Sequence, residues 1–67
     1  MTIIEKLDKL ESMPQGTRII YTPQFGDGFP EEAIFHRLRN KWGEYIIDVE
    51  INNGSLRWGY INQITII

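Results

Sequence analysis

Apolar residues near the N-terminus recur at helical spacing. Ile3, Ile4, Leu7 and Leu10 fall on one side of an α-helix, while Lys6, Asp8, Lys9 and Glu11 take the other. Thr2 precedes Glu5 by three positions, the spacing of a capping box in which the threonine oxygen accepts from the Glu5 amide and the carboxylate reaches back. Pro14 disfavours helical geometry in the residue before it, so the helix is expected to end near Ser12-Met13, with Gln15-Gly16 completing a turn. A helix this short is marginal alone and must dock its isoleucine–leucine stripe on something. Packing logic places it over one end of the remaining structure; a dimer or partner surface is the other reading.

After Gly16 the period changes from helical to alternating. Thr17 to Thr22 is β-rich and bounded by Gly16 and Pro23, which predicts a first strand. Residues Pro23 to Pro30 are dense in turn formers and make the one long loop. A second strand follows over Glu32 to Arg39, with two possible parities. Either Ile34, His36 and Leu38 face inward, or Ala33 and Phe35 do, and a bulge would reconcile them. Asn40 to Gly43 reads as a tight turn with glycine available for the left-handed position. In the third strand, Glu44 to Ile51, Tyr45, Ile47, Val49 and Ile51 point one way while Asp48 and Glu50 point the other.

Asn53-Gly54 between apolar runs predicts a two-residue type I′ hairpin. The matching register pairs Ile51 with Leu56, Val49 with Trp58 and Ile47 with Tyr60 on the inner face. Outside, it sets Glu50 opposite Arg57 and Gly59 opposite Asp48. The tail predicts a helical turn near Ile61 to Gln63 and a final strand, Ile64 to Ile67. No internal repeat or low-complexity segment interrupts the chain, so residues 1–67 form a single domain, with a helix over 1–13 and strands over 16–67.

Composition narrows what such a domain does. At 67 residues it buries only about 60% of the surface its unfolded chain would expose, so its stability margin is thin. Disulfides are excluded because there is no cysteine, and a zinc site has only His36 to offer. No metal or cofactor is expected. The longest apolar run is too short to span a bilayer, and no secretion-signal pattern precedes it, so a cytoplasmic location is the expectation. A net charge of −2 disfavours unselective binding to phosphate backbones.

The chemistry available is sparse. Ser12 and Ser55 sit in no nucleophile motif, and His36 lacks convergent partners for base catalysis. Glu31-Glu32 and Asp48/Glu50 read as solvated carboxylates. Gly26-Asp27-Gly28 lacks the lysine and hydroxyl of a P-loop and the acidic repeat of an EF-hand. The surface that stands out combines Phe25, Phe29 and Trp42 with the basic run Arg37, Arg39 and Lys41. Aromatics in loops cannot all enter so small a core, and exposed aromatics and arginines are enriched at binding hot spots.

Gly16-Thr17 opening the first strand, the long loop through Phe25 to Pro30, and the ending Gly54 to Ile61 with Ile64 resemble SH3-like small barrels. The resemblance implies a mainly β fold: an N-terminal α-helix followed by a five-stranded antiparallel SH3-like barrel. It is a pattern of elements without a family motif. The tandem tryptophans of proline-peptide-binding SH3 domains and the Val-Gln-Ile-Tyr segment of plasmid-type dihydrofolate reductases are missing. Fold likeness does not carry function.

The expectation is therefore a non-catalytic interaction module, a small bacterial or phage accessory protein, binding a protein partner through Phe25, Phe29, Arg37, Arg39, Lys41 and Trp42. A nucleic-acid-binding barrel is the alternative, disfavoured by the acidic pI. An enzyme with a site shared across an oligomer is the third reading. The helix stripe or the C-terminal strand offers a surface for self-association.

Overall fold

The computed structural model describes residues 2–23, 28–52 and 54–67. Helix α1 spans Ile3–Ser12, and the Thr2 hydroxyl caps it by accepting from the Glu5 N–H at 3.1 Å. Met13 leaves helical geometry just before Pro14, as the proline requires. Five strands follow: β1 (Arg18–Tyr21), β2 (Glu31–Lys41), β3 (Glu44–Ile51), β4 (Leu56–Tyr60) and β5 (Ile64–Ile66), with a one-turn helix, Ile61–Gln63, between the last two. All pairings are antiparallel in the order β4-β3-β2-β1-β5. The mainly β expectation holds, with one correction. The backbone ladder does not close into a barrel, because β4 and β5 are the two edges of an open sheet.

Side chains tie the open ends together instead. The Tyr21 ring lies over Gly59, where a Cβ would stand 2.9 Å from Tyr21 Cε1, and its hydroxyl donates to Trp58 O at 3.3 Å. Gln63 accepts from the Tyr60 N–H through Oε1 and donates to Thr22 O through Nε2. The sheet thus curls until the end of β1 meets the end of β4. Its concave side holds the core of Ile19, Tyr21, Ala33, Phe35, Ile47, Val49 and Ile64, with Leu10 from the helix.

The parity question in β2 is answered by a bulge. Phe35 pairs with Val49 and Arg37 with Asp48, so His36 is the extra residue between them. Ala33 and Phe35 face the core before it; Leu38 faces the core after it.

Two expectations fail. The helix docks through Leu10, which is 1% exposed, with Met13 packed beside the core, while Ile3 and Ile4 stand in solvent. Only the C-terminal end of the stripe covers the sheet. The β3–β4 register is also displaced by one residue: Ile46 pairs with Tyr60, Ile47 with Gly59, Asp48 with Trp58, Val49 with Arg57 and Glu50 with Leu56. Asn53 lies outside the described residues, but the bonds around it define the connection. Ile51 N–H donates to Ser55 O, Gly54 N–H donates to Ile51 O, and Gly54 has φ +83°. Residues 52–54 therefore connect the strands, one more than the expected turn, and a one-residue slip turns every β4 side chain to the opposite face. Gly59 faces inward because the Tyr21 ring occupies the space a side chain would need.

Candidate functional site

The displaced register builds a surface on the outer face of β2, β3 and β4. Reading across the sheet, one row holds Ile34, Glu50 and Leu56, the next Arg37, Asp48 and Trp58, and the third Arg39, Ile46 and Tyr60. β2 supplies Ile34 and two cations, β3 two carboxylates and the buried Ile46, and β4 apolar and aromatic groups. Trp58 is 53% exposed and Leu56 64% exposed, and both were expected inside. Trp58 and Tyr60, two residues apart on one face, meet edge to face with ring centroids 5.5 Å apart. The exposed apolar area sits on side chains rather than on a free backbone edge. Leu56 O accepts from Arg57, Trp58 O from Tyr21, and Tyr60 N–H donates to Gln63. These are groups that β4 turns away from β3, and covering them blunts the edge against strand addition.

Asp48 organises the charged part. Arg37 Nε donates to Asp48 Oδ2 at 2.8 Å and Arg39 Nη2 donates to Oδ1 at 2.8 Å. Partial burial by itself raises the Asp48 carboxyl, but the two arginine hydrogen bonds and their charges outweigh it and hold the group below its ordinary value. Arg37 and Arg39 are therefore brought together on one carboxylate. His36, lifted outward by the bulge, has both ring nitrogens near partners: Nδ1 lies 3.4 Å from Gln15 Nε2 and Nε2 lies 3.4 Å from Glu50 Oε1. His36 thus bridges Gln15 and Glu50 across the outer face.

Trp42 stands at the tip of the β2–β3 turn. Lys41 pairs with Glu44, leaving Trp42 and Gly43 as the two turn residues, with φ +55° and +80°. Positive φ at both central positions is the signature of a type I′ turn, which favours asparagine and glycine. Trp42 fills the asparagine place and is 93% exposed. Lys41 beside it is exposed. Phe29 is also exposed, on the loop whose root at Thr22 is bonded to Gln63. Phe25 lies outside the described residues.

Sequence reasoning thus missed Leu56 and Trp58, because it placed β4 one residue out of register. The signal that could have found them is the Asn52-Asn53-Gly54 triplet, which suits a three-residue connection ending in a left-handed glycine. Among the described residues no group of three or more His, Asp or Glu side chains is arranged to hold a metal ion. No described helix is long and apolar enough to cross a membrane. No protein-family model, curated protein or solved structure matches the chain.

Proposed function

We propose that this chain is a non-catalytic interaction module that binds a protein partner through its exposed aromatics. Trp42 is the principal anchor at one end of β2; Leu56 and Trp58 add apolar area on the outer face, and Phe29 stands beyond the opposite end of β2. Arg37, Arg39 and Lys41 orient the partner. The observation that carries this reading is Trp42 itself. A bulky residue at positive φ costs on the order of 1 kcal/mol in backbone strain, and full exposure returns nothing in burial. A residue that is strained and unpacked serves something outside the fold, and tryptophan is the side chain most enriched at binding hot spots. Asp48 neutralises half of the Arg37–Arg39 charge, which favours a protein surface over a polyanion.

The test is capture from a lysate of the source organism, with and without nuclease, comparing the wild type with Trp42→Asn. The reading predicts a protein retained after nuclease and lost with the variant. Capture that vanishes on nuclease treatment, or that ignores the substitution, contradicts it.

A further inference from the structure

Two guanidinium groups share one carboxylate on the outer face, so the Arg37–Asp48–Arg39 cluster keeps one positive charge. The next carboxylate, Glu50, is turned to His36 instead. Arg37 spends its Nε on Asp48, its side chain is 68% exposed, and its two terminal nitrogens have no partner among the described residues. It lines an open recess of about 390 Å³ together with Gln15, His36, Asp48 and Leu56.

We propose that this recess receives a carboxylate of the protein partner, an Asp or Glu side chain standing beside an apolar residue. This deepens the protein-partner reading and rests on it. A guanidinium whose Nε is already held still offers its end-on fork, which fits a carboxylate through two parallel N–H···O bonds. Asp48 fixes the plane of that fork, so little side-chain freedom is lost when it binds. Leu56, exposed on the same wall, takes the neighbouring apolar residue. Glu50 beside the cluster offsets its remaining positive charge, so the formal charges of Arg37, Arg39, Asp48 and Glu50 cancel. A single carboxylate guided by directional bonds and apolar contact is favoured there, and a chain of phosphates gains no general attraction.

The experiment is an NMR titration of the intact protein with acetyl-Leu-Glu-Leu-amide, its Gln counterpart and inorganic phosphate. The expected result is saturable shifts at Arg37, His36 and Leu56 with the Glu peptide. Affinity is about tenfold weaker for the Gln peptide, and similarly reduced in Arg37→Gln with an otherwise unchanged spectrum. Equal response to both peptides, an equal response to phosphate, or no response at these residues overturns the carboxylate site. Because Trp42 is untouched here, such a failure beside Trp42-dependent capture removes only this inference. Loss of Trp42-dependent capture removes the protein-partner reading beneath it.

Discussion

At the residue scale, the molecule turns on Gly59 and Asp48. Gly59 is the position where the Tyr21 ring crosses β4, and an added methyl would meet that ring at 2.9 Å. The ring is held from the other side by the core and by its bond to Trp58 O, so it cannot simply swing away. Gly59→Ala should cost about 1–3 kcal/mol in urea unfolding, the range of an overpacked core. A neutral result would mean that the corner between β1 and β4 is looser than its geometry implies. Asp48 gives a pH-dependent counterpart. Its folded pKa lies below the ordinary 3.8, so its contribution to stability is fully present above about pH 4 and is lost as pH falls through the folded value. Stability measured at pH 5 and at pH 3 should therefore fall more in the wild type than in Asp48→Asn. Equal slopes would contradict the arginine clamp.

At the element scale, α1 is half docked. Leu10 is buried among the sheet residues, so Leu10→Ala should destabilise by about 2–5 kcal/mol. Ile4→Ser removes an exposed side chain and should change stability by less than about 0.5 kcal/mol. Thermal melts of the two variants check the contrast, and similar losses would show that the helix packs along its whole length. The elements themselves were readable from local chemistry. Thr2 and Pro14 bound the helix, alternation marks β3, and the ambiguous parity of β2 suggested a bulge, which the structure puts at His36. The β3–β4 register was not readable. Its wrong alternative had two locally favourable features, inward apolar pairs and a Glu50–Arg57 charge pair. What decides it is non-local: the Tyr21 ring, distant in sequence, needs the space at Gly59. Misjudging that contact hid Leu56 and Trp58 from the list of surface residues. Trp42, Arg37 and Arg39 remained visible because a turn tip and a basic run are local patterns.

At the scale of the whole molecule, a small domain with a thin stability margin leaves many large apolar side chains in solvent, among them Trp42, Leu56, Trp58 and Phe29. It also carries a tryptophan in a left-handed turn position. Neither feature adds burial to the fold, and the proposed partner surface would account for both. The most direct measurement of that claim is the thermal midpoint of Trp42→Asn, which restores the Asn-Gly sequence that a type I′ turn prefers. If Trp42 is held for a partner, the variant gains about 1 kcal/mol and its midpoint rises by about 4–8 °C. If the midpoint falls, Trp42 stabilises the fold itself, and the argument for a binding surface at this turn loses its foundation.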